Sequence, residues 1–251
     1  MLELKELGKT FGGVKAVQDV SMSLLKGEVR GLIGPNGAGK STLVNLISGL
    51  LRQSSGTMIL NGVSLDHLSA HKRAQMGIGR TFQNLRVFAS LTVQQNIDVA
   101  LNIAKSGAQG HAEFVQSAIE KFDLVERLHM RAGSLAYVYL RRLEIVRALA
   151  LHPKLLMLDE PAAGMNEQET AALGDALGWL RQQNDCAMLV IDHDLKFIMT
   201  LCDRITVLNM GAVIAEGKPS EVSNNRQVID AYLGEEHFTV AEATGSTRRK
   251  K

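Results

Sequence analysis

Apolar positions along the chain fall into short unbroken runs and longer helical stripes. Val29-Arg30-Gly31-Leu32-Ile33, Leu155-Leu156-Met157-Leu158 and Ala187 to Ile191 are brief and nearly free of polar residues. That is the pattern of strands buried on both faces. Leu43, Leu46, Ile47 and Leu50 recur at three and four residues and predict a helix over 41–50, weakened near its end by Gly49. Leu173, Leu177 and Leu180 form a second stripe after Asn166, which with Glu169 makes a capping-box pattern. Strands and helices alternating in this way predict an α/β fold, a mainly parallel sheet with helices on both faces.

Two stretches have a different texture. Residues 1–33 read as β-rich: Val14, Ala16, Val20, Met22 and Leu24 lie between the turn signals Gly12-Gly13 and Lys26-Gly27, which predicts short strands. Residues 85–150 predict helices over 92–105 and 111–128, separated by Ser106-Gly107-Ala108-Gln109-Gly110, and a third over 140–151 that stops before Pro153. Phe114, Ala118, Ile119 and Phe122 share a face of the second helix. This stretch reads as a helical insertion in the α/β core.

Composition narrows the class. Of 251 residues, 45% are apolar and 22% charged, ordinary values for a soluble globular protein. The 28 basic and 26 acidic side chains nearly balance, so no nucleic-acid partner is expected. The tail Arg248-Arg249-Lys250-Lys251 could touch acidic lipid or RNA, but reads better as a solvated terminus. No apolar run reaches about 18 residues, so a membrane role has to come through a partner. The acidic start Met1 to Glu6 holds no apolar h-region, and no secretory signal is expected. Cys186 and Cys202 stand in no metal or redox spacing and read as small core residues in a reducing, cytosolic compartment.

The chemistry begins where the first buried strand ends. Gly34-Pro35-Asn36-Gly37-Ala38-Gly39-Lys40-Ser41 fits the phosphate-binding pattern G-x-x-x-x-G-K-[ST], between a predicted strand and a predicted helix. Its glycines allow backbone N–H groups to approach phosphates, Lys40 supplies a cation, and Ser41 offers a hydroxyl to Mg²⁺. The helix start directs its positive dipole end at the anion. Asp159-Glu160 closes the second buried strand, where Asp159 could hold the Mg²⁺ shell and Glu160 could orient or deprotonate water. His193 follows the third strand between Asp192 and Asp194, placed for a phosphate contact. The Asn-Lys-x-Asp guanine reader is missing, which speaks against GTP.

In this order the motifs resemble those of ABC ATPases, over about residues 1–237. The resemblance implies a P-loop NTPase (RecA-like) core with an N-terminal antiparallel β subdomain and an inserted α-helical subdomain. The core would span 1–84 and 151–237, the helical subdomain 85–150, and a flexible tail 238–251. It further implies that Phe11 stacks on adenine. Gly34, Asn36, Gly37, Ala38, Gly39, Lys40, Ser41 and Thr42 would hold ATP, and Ser41, Gln83 and Asp159 would hold Mg²⁺. Glu160, His193 and Gln83, the last in Arg80-Thr81-Phe82-Gln83, would be catalytic, with Gly164-Met165-Asn166 as the D-loop. The implied partners are a second ABC ATPase, identical or not, two transmembrane permeases, and a periplasmic or extracellular substrate-binding protein. The implied place is the cytoplasmic face of the membrane.

Phe11 to Ala16, Arg141 to Ile145, Pro161 to Asn166 and the segment Ala231 to Glu235 resemble the ATP-binding subunits of branched-chain amino acid importers. Urea or amide importers and lipopolysaccharide exporters have similar ATPases. One segment departs from the family. Where that group has Leu-Ala-Tyr-Gly-Gln, this chain has Leu135-Ala136-Tyr137-Val138-Tyr139. The family's loop offers backbone N–H groups to ATP on the opposite subunit. β-Branched Val138 is expected to crowd that approach, and Tyr139 puts a bulky phenol in place of an amide that can donate and accept. A natural degenerate site completed by an intact partner, an impaired or regulatory subunit, and a sequence variant are the three readings.

Overall fold

In the computed structural model, which describes residues 1–104, 110–183 and 186–233, the chain opens as a hairpin. β1 (Leu2–Phe11) and β2 (Val14–Leu24) pair antiparallel around Gly12-Gly13, where both glycines take positive φ. These are two long strands rather than several short ones, because register shifts between Leu4 and Thr10 absorb the irregular pattern. β3 (Val29–Ile33) leads through a loop into α1 (Lys40–Ser48), and β4 (Ser55–Leu60) and β5 (Val63–Ser64) return to the hairpin. α2 (Ala70–Gln75) crosses to β6 (Ile78–Arg80), after which α3 (Val93–Ala104), α4 (His111–Lys121) and α5 (Tyr137–Ala150) follow in succession. β7 (Leu155–Asp159), α6 (Glu167–Gln183), β8 (Ala187–Ile191), α7 (Leu195–Leu201), β9 (Arg204–Asn209) and β10 (Ala212–Gly217) then alternate. α8 (Pro219–Ser223) and α9 (Arg226–Leu233) close the described chain.

The six-stranded sheet has the order β10-β9-β3-β8-β7-β6, parallel except for β10 at one edge. The four-stranded sheet, β2-β1-β4-β5, is antiparallel throughout. Every residue of β3, β7 and β8 is buried, as their unbroken apolar runs require. Alternation along those strands divides the interior in two. Leu156, Leu158, Met188 and Val190 join the core formed with α3 to α7. Leu155, Met157, Leu189 and Ile191 face α1 and the antiparallel sheet. The fold is therefore the expected α/β P-loop core, with an antiparallel sheet built largely from the N-terminal strands and helices inserted between β6 and β7.

The predicted stripes of α6 (Leu173, Leu177, Leu180) and α4 (Ala118, Ile119, Phe122) are buried. The capping box also forms: Asn166 N–H donates to Glu169 and Glu169 N–H to Asn166, each at 3.0 Å. Two boundaries move. α4 ends at Lys121 rather than near 128, because Asp123 turns left-handed (φ 55°) and the chain continues as a 3-10 turn over Val125–Arg127. α5 begins at Tyr137, ahead of the expected Leu140, with Tyr139 and Leu140 N–H both bonded to Ala136 C=O. The Tyr-Val-Tyr opening is poor in helix formers and lacks a capping side chain, so local pattern hides it. Cys186 and Cys202 are buried as expected, and burial pushes the Cys186 thiol up to about 12. The segments 105–109 and 234–251, which include the predicted interhelical linker and the basic tail, lie outside the described residues.

A buried cation fixes the far end of α1. Arg73 donates to the carbonyls of Leu46 (2.6 Å) and Ile47 (3.0 Å), and to those of Leu65 (2.8 Å) and Leu68 (3.0 Å). It satisfies helix-end acceptors and opposes the negative end of the α1 dipole. Burial lowers its pKa, and Asp66 raises it in part. Leu46 and Leu65 also accept from the N–H groups of Gly49 and Leu68, so Arg73→Met is expected to leave the Ile47 and Leu68 carbonyls unmet and to cost about 3 kcal/mol. Urea unfolding checks this; an unchanged midpoint would remove Arg73 from the account.

Candidate active site

The phosphate loop is shaped by contacts behind it. A Cβ on Gly34 (φ 150°) would lie 2.0 Å from Leu208 C=O, and one on Gly39 (φ 101°) 2.4 Å from Ala16 C=O. Only glycine fits at either place. The turn between β9 and β10 braces the same loop: Gly211 N–H donates to Ala38 C=O at 3.0 Å, and Gln18 N–H to Gly211 C=O at 2.7 Å. Lys40 is the first residue of α1, and its buried ammonium lies against the carbonyls of Gly34 and Pro35 (3.0 Å to the latter). Ser41 and Thr42 follow in the first turn, and Asn36, Gly37 and Ala38 form the loop itself. Gly39, before the helix, makes no side-chain cap, so the first-turn N–H groups are presented without one.

Because β6, β7 and β8 are adjacent and parallel, their carboxyl ends bring the remaining groups together. Asp159 ends β7, and Glu160 follows in the left-handed region (φ 50°), its N–H bonded to Ile191 C=O at 2.7 Å. A non-glycine residue there costs about 1 kcal/mol or more, and such strain gathers at functional sites. Gln83 donates through Nε2 to Glu160 Oε2 at 3.1 Å, and His193 Nε2 lies 2.9 Å from Glu160 Oε1. Glu160, Gln83 and His193, chosen from separate stretches of sequence, thus meet. Phe11 stands apart at the hairpin end, 44% exposed with the Lys9 ammonium 4.9 Å above its ring. The strand that follows it carries Ala16, which touches Gly39.

The flanking acids of His193 are scaffolding. Asp192 accepts from Ala162 N–H (2.9 Å) and Asp194 N–H (3.0 Å), and burial raises its pKa. Asp194 caps α7 by accepting from Phe197 N–H at 2.9 Å. His193, with its side chain 55% exposed, is the member that reaches outward.

Sequence reading did not assign roles to three charged residues. Arg80 binds Asp159 Oδ2 at 3.0 Å, and Asn45 (2.6 Å) and Ser48 (3.2 Å) of α1. It therefore ties the phosphate-loop helix to β7. Arg141 donates to the carbonyls of Phe82 and Gln83 (2.8 Å to the latter), and Glu144 accepts from Phe82 N–H (3.2 Å) and Arg86 N–H (3.3 Å). Burial pushes Glu144 up, partly opposed by these donors and by Arg141. The i, i+3 spacing of Arg141 and Glu144 was the available signal; their backbone targets come from a distant segment and leave no local trace.

The divergent segment also looks different in three dimensions. Tyr139 does not stand clear of the chain: its ring packs on the main core with the Arg127 guanidinium 3.6 Å and the Arg142 guanidinium 5.3 Å from its centroid. Val138 is half-buried at the first turn of α5.

The donor set suits a nucleotide phosphate with Mg²⁺. Lys40 and the α1 start supply positive groups, and Ser41, Gln83 and Asp159 supply hard oxygen donors. Among the described residues no cluster of three or more His, Cys, Asp or Glu could cage a metal alone. Mg²⁺ suits such a sparse set, since it binds through one or two protein oxygens plus substrate phosphates.

Comparison with known proteins shows the family and the fold. The ABC transporter profile matches residues 17–163, and one described as a branched-chain amino acid ATP-binding cassette transporter matches 212–237. The high-affinity branched-chain amino acid transport ATP-binding protein LivG of Salmonella typhimurium is 40% identical, over 94% of this chain and 98% of its own. BraF of Pseudomonas aeruginosa, of the same description, is 39% identical at the same coverage. Among solved structures, an ABC transporter ATP-binding cassette in its ADP conformation superposes with TM-score 0.83 at 28% identity, over 94% of this chain and 99% of its own. A dimeric bacterial ABC transporter cassette matches with TM-score 0.76 at 25% identity, over 87% and 99%.

Two substitutions separate binding from chemistry. Glu160→Gln is expected to keep ATP binding and lose about 10²–10⁴-fold in hydrolysis, whereas Lys40→Ala loses binding itself. Equilibrium titration with a fluorescent ATP analogue, paired with phosphate release, checks both; near-normal turnover by the Glu160 variant would contradict the assignment.

Proposed function

Because this chain belongs to the ABC transporter family of ATP-binding cassettes, we propose that it is the ATP-hydrolysing subunit of an importer for branched-chain amino acids. The observation that carries this reading is the convergence of Gln83 and His193 on Glu160 beside the phosphate loop. The amino-acid class is supported by the names of the two relatives and the match over residues 212–237.

In this reading Phe11 stacks on adenine, and Gly34, Asn36, Gly37, Ala38, Gly39, Lys40, Ser41 and Thr42 hold the phosphates. Glu160 orients and deprotonates the attacking water, His193 contacts the γ-phosphate, and Gln83 keeps Glu160 in place. Bound through Ser41, Gln83 and Asp159, Mg²⁺ would neutralise charge developing on the phosphates. Residues 1–84 and 151–237 form the nucleotide-binding core, and 85–150 the helical subdomain.

The site is half of a whole. A second ATPase subunit closes it head to tail, supported by the dimeric cassette among the structural relatives. Val138 weakens this chain's return contribution, so the partner's loop is the intact one. Among the described residues no helix is long and apolar enough to cross a membrane. By its family the subunit would sit peripherally on the cytoplasmic face, on two permeases fed by a substrate-binding protein.

The docking face for a permease lies next to Gln83. A cleft of about 200 Å³ is lined by Arg80, Phe82, Arg86, Phe88, Ile103 and Arg147 among others. Arg86 stacks 3.8 Å from the Phe82 centroid, and Arg147 4.8 Å from that of Phe88. Exposed Phe88 and Ile103 among three arginines suit a short segment with apolar and acidic residues. The full chain, pulled from membranes in mild detergent, is expected to bring integral-membrane permeases with it. Phe88→Asp should lose them while still binding ATP. Recovery of soluble partners alone would sink the transporter reading.

A further inference from the structure

We propose that Tyr137 and Arg141 are positioning residues for Gln83, so that the first turn of α5 sets the hold on Glu160 within its own chain. The inference rests on the reading of Glu160 as general base and adds a control on it. Arg141 is buried, and its Nη2 donates both to Gln83 C=O at 2.8 Å and to the Tyr137 hydroxyl at 2.9 Å. Its Nη1 donates to Phe82 C=O and to Glu144 Oε2 (3.2 Å). Glu144 in turn holds the N–H groups of Phe82 and Arg86 through Oε1. The backbone on both sides of Gln83 is therefore gripped by one arginine and one glutamate of a single helix. The Gln83 side chain then reaches Glu160 Oε2 at 3.1 Å.

Tyr137 gives this grip its direction. The guanidinium fork is planar, and two acceptors on one nitrogen fix its rotation more tightly than one. Of the two acceptors on Nη2, the Tyr137 hydroxyl is the one outside the Gln83 loop, so it references that nitrogen to the helix start, as Glu144 Oε2 references Nη1 to the next turn. The same ring lies beside the segment that follows Glu160: a Cβ on Gly164 would meet it at 3.5 Å. Tyr137 thus lies beside the segment after Glu160 and, through Arg141, is linked to the backbone of the residue that holds Glu160. Tyr139 is also turned inward, between Arg127 and Arg142. Both tyrosines of the divergent segment serve this chain's own framework. A shift of the α5 start reaches Gln83 through two hydrogen bonds to one guanidinium.

Contact continuity alone does not establish coupling, so the test measures it. Tyr137→Phe removes the hydroxyl and keeps the ring against Gly164, so the fold is retained. In the full chain, ¹⁵N-labelled and without nucleotide, the Gln83 side-chain amide resonances should shift and narrow while the melting temperature stays unchanged. In the assembled transporter kcat should fall 3- to 10-fold with KM for ATP within twofold. Arg141→Lys, which keeps a donor and loses the fork, should fall further. Tyr137→Phe should add nothing once Gln83 is Ala. An unmoved Gln83 amide in Tyr137→Phe, or additive losses in the Tyr137→Phe, Gln83→Ala double variant, overturns the proposal. A moved amide in a chain that hydrolyses no ATP, even when assembled, supports the positioning role and instead removes the assigned function.

Discussion

Parallel pairing of β6, β7, β8 and β3 in adjacent positions is the constraint on which the rest depends, because it puts four carboxyl ends along one sheet edge. Gln83, Asp159, Glu160, His193 and the phosphate loop leave from those ends. Burial on both faces specifies the register: a one-residue slip would exchange Leu156 and Leu158 with Leu155 and Met157 between the two cores. The strain at Glu160 is held by the same arrangement, through its bond to Ile191 on the neighbouring strand.

Three arginines tie the elements around that edge together. Arg73 closes the far end of α1, Arg80 ties α1 to Asp159, and Arg141 ties α5 to the Gln83 loop. Burying a guanidinium is costly unless its donors are met. Here backbone carbonyls at loop and helix ends meet many of them, and each residue fixes the relative position of two segments. Such contacts confer geometry more than net stability, and geometry is what a site at a sheet edge needs.

The strands bearing the site could be read from sequence because their signals are local: unbroken apolar runs, a glycine-lysine loop, an acidic pair and a histidine at strand ends. The helix stripes of α4 and α6 were legible for the same reason. What stayed hidden depends on distant partners. β6 is three residues long and is defined by pairing with β7. Arg80 and Arg141 act on backbone or carboxylate groups roughly sixty to eighty residues away in sequence. Tyr139 read as a bulky phenol in place of an amide, and its guanidinium neighbours were not visible. The end of α4 was overrun because the apolar pattern continues through Leu124 and Leu128 while the backbone turns at Asp123.

In the proposed reading these features describe a cassette that binds ATP by its own residues and needs a second chain to turn it over. The phosphate loop, Glu160, Gln83 and His193 are assembled in one chain, while the loop proposed to close over the nucleotide would come from another. The most direct measurement is phosphate release per chain at saturating Mg²⁺ and ATP, followed as an equimolar mixture of this chain and the second cassette is diluted about a hundredfold, alongside nucleotide binding. The account predicts one nucleotide bound per chain at every concentration, with release per chain falling toward zero on dilution and restored by adding more of the second cassette. A release rate that stays constant on dilution would contradict it.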